Sequence, residues 1–569
     1  MPAFAPVPLL GLDRAEGLAL HAGAATLDAR RVFTPEVVSL ALALHRALAP
    51  DRRRLLRARA ARQADYDAGS TPDYLLDGAV IGARGPWQVA PLPADLRQRR
   101  VEITGPASDP RMVVTMLSRT ADGHRADAAM LDMEDSMAPT WANVVAAATN
   151  VRDAARGTLR AEKRDASGAV VKTYALDPGD MATMMVRVRG LHLAETNVRV
   201  DGRPASAALV DLALVLVHSA RALVQRGATP ALYLPKMEHH LEARWWARAL
   251  ALAEDALDLP RSTVRVTMLI ETLPAAFQME EILFELRDHA AGLNGGRWDK
   301  IFSDIKCLRA HPDRVLADRA TIGMNRPWMH AYARELVRVC HRHGALAMGG
   351  MAAFTPGRDP ETRAVQTAKV VEDKAAEAAL GHDGCWVSHP FFIGPAVQPF
   401  LDVLGEAPNQ LGAGLDAPPR PDLLPESTGP RTMGGLRTNV RVGIAYLKGY
   451  REGTGCVAWD GLMEDLATLE ISRAQTHQWL RHAITLDTGE MVTPDLVRRV
   501  FREEAAAIAE AAPDAERTAY AEAAAEAEGV FLAPDLAPFL ALASPLAQLA
   551  HPAPGTSGDG HVREPVLAA

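Results

Sequence analysis

The chain has 569 residues, 48% hydrophobic and 23% charged, which is enough soluble-type sequence for several domains around a large core. Its formal net charge of -8 excludes a general nucleic-acid binder, which needs a basic face, so any anionic ligand must be met by local Arg and Lys. Cys307, Cys340, Cys385 and Cys456 show neither CxxC nor metal spacing, which excludes a disulfide framework and fits a reducing compartment.

In chain order, residues 1–95 are expected to form an N-terminal helical clasp, on the strength of the Ala/Leu/Arg-rich run from Pro35 to Asp65. No basic leader precedes an apolar core there, no apolar run reaches the roughly 18 residues of a spanning helix, and "EPVLAA" is no peroxisomal address. The expectation is therefore a cytoplasmic protein without membrane contact. From 96 to 404 come eight short apolar runs separated by helical or loop material. They are "VEITGP" at Val101, "AAMLDMED" at Ala128, "TMMVRVRG" at Thr183, "ALYLPKM" at Ala231, "RVTMLIET" at Arg265, "HAAGLNGG" at His289, "ALAMGG" at Ala345 and "CWVSHP" at Cys385. Strands buried on both faces and alternating with helices predict parallel βα units, and eight of them predict a (β/α)₈ TIM barrel.

A polar alternating stretch around a Ser-Gly turn predicts a small β-hairpin insertion near 157–180. Residues 405–435 are a Pro/Gly-rich linker, 436–550 a helical domain and 551–569 a disordered tail. The fold class is thus α/β, a barrel with an N-terminal helical segment and a C-terminal helical plug. "GAGLDA" at Gly412 fits G-x-G-x-x-A but follows a helix and runs into "PPRPD", the wrong context for a nucleotide fingerprint. "HRH" at His341 and "EHH" at Glu238 lack further ligands at zinc spacing.

Chemistry in such a barrel sits at the C-terminal ends of its strands. Strand two ends in Asp132, Glu134 and Asp135, strand three in Arg187 and Arg189, strand four in Lys236, strand five in Glu271. Strand six runs into Arg297, Trp298 and Asp299. Carboxylates from different strands, with Arg and Lys among them, suit a hard divalent cation that keeps open positions for water and substrate, and Glu271 and Asp299 are the candidate ligands. The glycines of "GLNGGRWD" would let backbone amides approach a small carboxylate substrate, with Trp298 as a wall. Ion pairing that merely closes the barrel top is the plain alternative.

"LRDHAAGLNGGRWDKIF" resembles the malate synthase signature. "RRVEITGP", "LDMEDSMAPTW", "VRVRGLHLAE", "YLPKME", "LIETLPAAFQMEEIL", "HGALAMGGMAAF", "GHDGCWVSHP", "NQL" and "GLMEDLATLEISR" follow in that family's order, from about Leu55 to Glu504. The short insertion after strand two fits the A-type form. The resemblance implies condensation of acetyl-CoA with glyoxylate and hydrolysis to malate and CoA, with Mg²⁺. Carried over by motif, Arg187 contacts glyoxylate and stabilises the enolate, Glu271 and Asp299 hold the metal, and Gly296, Arg297 and Trp298 face the glyoxylate carboxylate. Asp465 is the catalytic base. Asp132, Glu134 and Asp135 stand one layer behind the metal ligands. Ser136 is a candidate CoA contact, and Arg125, Lys306 and Arg309 are candidate partners for its charged end. As a plain structural residue, Asp465 would simply be a favourable helix N-terminal charge.

The chain departs from the family pattern at Lys300 and Asp304, where aromatic residues are usual, at Gly295 and at "VSHP". Lys300 is expected to point away from the metal and pair with Asp304, four positions on. A malyl-CoA or citramalyl-CoA type lyase shares the barrel and its carboxylates, and an inactive barrel scaffold is the non-enzymatic alternative. The "GLMED" region favours the synthase, and the presence of Arg187, Glu271, Asp299 and Asp465 disfavours the scaffold. A monomer is compatible with the sequence.

Overall fold

The computed structural model describes residues 4–6, 17–413 and 418–540. Eight parallel strands close into a barrel: β1 (Val101–Pro106), β2 (Ala128–Asp132), β3 (Thr183–Arg187), β4 (Ala231–Leu234), β5 (Arg265–Leu269), β6 (Ala290–Asn294), β7 (Leu346–Ala352) and β8 (Gly384–Val387). Each pairs with the next, and β8 returns to β1 through Cys385↔Val101 and Val387↔Ile103. Every residue of β1, β2, β4, β5 and β6 is buried, because helices cover the outer face while side chains fill the inner one. The floor of the barrel is polar but satisfied. Buried Arg99 bonds Glu102, Thr267 (2.9 Å) and Tyr233 (2.8 Å), and Trp386 Nε1 donates to Glu102 at 2.9 Å.

The hairpin Arg160–Arg164/Val170–Ala175 lies between β2 and β3. A second hairpin, Ala194–Val200/Arg203–Ser206, follows β3 and was not expected. Its edge pairs with Leu18–His21 (Leu18↔Val200), which in turn pairs with Phe4–Pro6. The N-terminal segment is therefore not purely helical. "LALH" is too short and too Ala-rich to signal a strand, and it is one only because an unpaired hairpin edge is available to it.

The long helix Pro35–Asp67 starts with Thr34 as N-cap and Pro35 in its first turn. It packs on the helices Ala207–Gln225 and His240–Ala256. Ala207–Gln225 corrects a second expectation, since by length and apolar composition it could cross a bilayer. Its apolar window is 78% buried, so packing within the barrel shell accounts for its composition.

Beyond the linker, helices Met433–Arg451, Leu466–Arg481, Pro494–Ala511 and Arg517–Phe531 form a second core around Tyr446, Trp479 and Phe501. This unit reaches back over the barrel mouth. Its small hairpin Val457–Trp459/Leu462–Glu464 bonds to the loop after β7 through Met463 N–H to Ala353 O (2.8 Å) and Thr355 N–H to Gly461 O (3.0 Å). Helix Leu466–Arg481 packs on helix Trp298–Cys307. The expected tail 551–569, the end of the helical stretch and most of "GAGLDA" lie outside the described residues.

Candidate active site

Parallel register brings the strand ends together. Asp132 is paired with Arg187 across β2 and β3, and the Arg187 guanidinium grips the Asp132 carboxylate with two bonds of 2.6 Å. The same guanidinium lies 3.3 Å from Asp135 and 3.5 Å from Glu134. Both partners are buried, so the fork fixes the guanidinium in one plane.

Lys236, two residues beyond β4, carries more of the site than its place in the sequence suggested. Its backbone is left-handed (φ 52°), an uncommon conformation for a residue with a side chain. In that pose its amide donates to Glu271 Oε1 at 2.7 Å, and its ammonium meets Asp135 (2.6 Å), Glu134 (3.1 Å) and Asp299 (3.4 Å). Strain of this kind persists where surrounding contacts over-determine it.

Glu134, Asp135 and Asp299 thus share one ammonium, Glu134 and Asp135 share part of one guanidinium, and Glu271 takes the Lys236 amide. Glu134 Oε1, Asp135 Oδ1 and Asp299 Oδ1 are buried without a hydrogen-bond partner. Burial and the neighbouring Glu271 push the Asp299 carboxyl well above the usual range, against the pull of Lys236, and burial with Asp135 does the same to Glu134. Surplus buried negative charge with lone oxygens is what a hard divalent cation would satisfy. Among the described residues no three such groups form a ready-made cage. A cation held here would therefore take two carboxylates and complete its shell with water and substrate, which is the usual preference of Mg²⁺.

The glycines divide their duties. A Cβ on Gly292 would lie 2.4 Å from Leu346 O, so that glycine serves β6–β7 packing and not a ligand. A Cβ on Gly296 would stand 3.2 Å from Glu271 Cβ, which keeps this backbone open beside the carboxylate cluster. Trp298 and Arg297 follow, with the Arg297 guanidinium 4.2 Å from the indole ring centre. Asp299 sits in the first turn of helix Trp298–Cys307.

Asp465 enters from the other domain. It is the N-cap of helix Leu466–Arg481, its amide bonded to Thr468 Oγ1 at 2.9 Å, while Thr468 N–H reaches its carboxylate only at 3.4 Å. The helix-cap role therefore leaves the carboxylate room for a second one. Burial first, then Asp135, raises the Asp465 carboxyl to about 7, with Arg187 and Lys236 pulling the other way. Leu466 N–H donates to Asp135 O at 3.3 Å, stitching the two domains at this point.

The four candidate CoA contacts are otherwise engaged. Ser136 gives its hydroxyl to Asp132 at 2.6 Å. Arg125 pairs with Asp180 just before β2, at the end of the barrel away from the mouth. Lys306 is buried against Glu238 and lies 4.7 Å from the Phe539 ring centre. Arg309 bonds Asp67 (2.9 Å) and Leu536 O (2.8 Å), riveting the N-terminal helix to the C-terminal domain. Partners 55 to 242 positions away occupy these cations, which spacing along the chain does not reveal. Lys300 does pair with Asp304, but as a fully buried pair with its ammonium 5.6 Å from the Tyr332 ring centre.

A cavity of about 210 Å³ opens between the domains, lined by Arg297, Trp298, Met351 to Phe354, Lys369, Asp373, Leu462 to Glu464 and Thr468. Sequence reasoning missed Lys369 and Arg319. Lys369 lies on the exposed side of helix Pro360–Leu380, and Arg319 falls in an irregular connection with no periodic signal.

A closed parallel barrel whose strand ends gather carboxylates around one Arg and one Lys has the architecture of a (β/α)₈ barrel enzyme. The family model for the malate synthase TIM barrel domain matches residues 183–420, that for the malate synthase C-terminal region matches 430–546, and that for the malate synthase N-terminal domain matches 22–76. Malate synthase A of Escherichia coli (strain K12) is 44% identical over 483 residues, covering 84% of this chain and 88% of its own. Malate synthase of Myxococcus xanthus (strain DK1622) is 44% identical over 480 residues, covering 84% and 86%. Malate synthase of Oryza sativa subsp. japonica is 42% identical over 529 residues, covering 90% and 91%. The chain belongs to the malate synthase family. It is an acyltransferase that condenses acetyl-CoA with glyoxylate and releases malate and CoA, the condensing step of the glyoxylate bypass.

Proposed function

We propose that Asp465 is the base that removes a methyl proton from acetyl-CoA and that Arg187 stabilises the enolate oxygen that forms. The observation that carries this reading is the placement of Asp465. A carboxylate from a separate domain is held over the barrel mouth, next to Asp135 and Arg187 in charge space, at an affinity for protons near neutrality. A base with a pKa close to working pH combines useful ionisation with useful basicity. Arg187 stays protonated, so it serves as electrophile, and the Asp132 fork fixes its direction before substrate arrives.

Glu271 and Asp299 would hold Mg²⁺, with Glu134 and Asp135 behind them and Lys236 between. Bound there, the ion supplies Lewis acidity toward the glyoxylate aldehyde and orients it. Gly296, Arg297 and Trp298 receive the glyoxylate carboxylate, because open backbone stands there beside Glu271. The interdomain cavity takes the acyl end of acetyl-CoA. Lys369, exposed at its edge, suits an anionic group of CoA, in place of Ser136, Arg125, Lys306 and Arg309. The C-terminal unit closes over the mouth and keeps bulk water from the enolate. Four free thiols, three of them buried, fit a cytoplasmic enzyme.

Calorimetric Mg²⁺ titration tests the ligand assignment apart from turnover. Glu271→Gln and Asp299→Asn should each weaken binding by about tenfold or more, in line with the loss of a charged ligand. Wild-type affinity in both variants would overturn it.

A further inference from the structure

We infer that Arg319 is a positioning residue that locks the Asp465 carboxylate to the loop following β6. It sits in the short turn Arg319–Thr321, in the connection between helices Trp298–Cys307 and Pro327–Arg342, and is 5% exposed. Its guanidinium touches three parts of the machinery. It lies 5.4 Å from the Trp298 ring centre. It donates to both oxygens of Glu464, at 3.2 and 3.4 Å, and to Thr468 O at 3.3 Å.

Glu464 and Thr468 bracket Asp465. The first precedes it at the end of the hairpin, and the second closes its capping box. Among the described residues, Arg319 is the sole ion-pair partner of Glu464. The neighbouring Asp318 anchors the same connection to the helical domain, accepting from Thr432 N–H at 2.9 Å and from its hydroxyl at 2.6 Å. Trp298 opens the helix that carries Asp299, directly after the loop that holds Gly296. One planar group therefore fixes the spacing between the loop on the barrel and the two residues that aim the carboxylate of the other domain. A lysine could keep the charge, but neither the two coplanar nitrogens that reach Glu464 and Thr468 O at once nor the guanidinium contact with the indole.

The inference rests on the proposed role of Asp465, and the test separates the two. Arg319→Lys should lower kcat by about 10- to 100-fold while KM for acetyl-CoA stays within about twofold, since misplacement of a catalytic group acts on the chemical step. In an Asp465→Glu background, where the carboxylate is already displaced, adding Arg319→Lys should change kcat by less than about twofold. Glu464→Gln should behave the same way, and it carries the test should Arg319→Lys fold poorly by circular dichroism. Full multiplication of the effects in the double variants, or wild-type kcat in Arg319→Lys, would overturn the inference. Wild-type kcat in Asp465→Asn would instead remove the base assignment beneath it.

Discussion

Replacing Asp465 by Asn should make the protein more stable at pH 8 while lowering turnover by about 10²-fold or more. The fold holds this carboxyl at about 7 against an ordinary 3.8, chiefly through burial. Below pH 3.8 the group is neutral in folded and unfolded chains alike and contributes nothing. Between 3.8 and 7 it ionises only when the chain unfolds, so stability falls as pH rises, and above 7 the whole penalty is present. At about 1.4 kcal/mol for each pH unit, the penalty is on the order of 4 kcal/mol at pH 8 and a little over a third of that at pH 5. With an unfolding entropy of roughly 2 cal/mol/K per residue, a chain of this length would gain on the order of 4 °C in Tm at pH 8 and a little over a third of that at pH 5. Differential scanning fluorimetry of both proteins across this range reads the effect. An Asn variant that melts with or below the wild type at pH 8 would refute the claim that the site strains this carboxylate.

The same value predicts that kcat/KM for acetyl-CoA rises with pH through about 7 and flattens above it, since only the ionised carboxylate accepts a proton; a flat kcat/KM profile from pH 6 to 9 would contradict it. Arg187→Lys loses the fork on Asp132 and should reduce kcat at least about 100-fold, in the range seen for lost oxyanion donors, with thiol-release kinetics as the readout. Lys236→Met removes the ammonium shared by Glu134, Asp135 and Asp299, so its Tm in EDTA should fall below wild type, and added Mg²⁺ should restore more than it does in wild type. Equal EDTA melting points would count against that role. Lys300→Met leaves Asp304 buried alone and should cost about 3 kcal/mol in denaturant unfolding, whereas Lys300→Met with Asp304→Leu should recover most of it. A double variant as unstable as the single one would argue that the pair does more than satisfy itself.

The barrel was legible because its strands are buried on both faces. The run "AAML" carries no polar interruption and stops where Asp132 begins the charged residues, and "ALYL" stops two positions before Lys236. The strand-six boundary was legible for a local reason, since Gly295 and Gly296 stop β6 and Trp298 opens the next helix. The strand Leu18–His21 was not, because it exists only through pairing with a hairpin about 180 residues away. Site assignments followed motif order, which places Arg187, Glu271, Asp299 and Asp465 at element ends but says nothing of their partners. The Asp132 fork, the ammonium of Lys236 and the contacts of Arg319 all join elements distant in the chain. Lys306 and Arg309 show the converse, cations that look available in the sequence and are consumed by Glu238 and Asp67 in the fold.

The account is tested most directly by mixing the purified protein with acetyl-CoA, glyoxylate and Mg²⁺ and following free CoA thiol, with Asp465→Asn alongside. Thiol release that requires glyoxylate and metal and falls by about 10²-fold or more in the variant, the scale of a lost general base, is the predicted result. Consumption of glyoxylate with the thioester intact, or an Asp465→Asn protein that turns over like wild type, would contradict it.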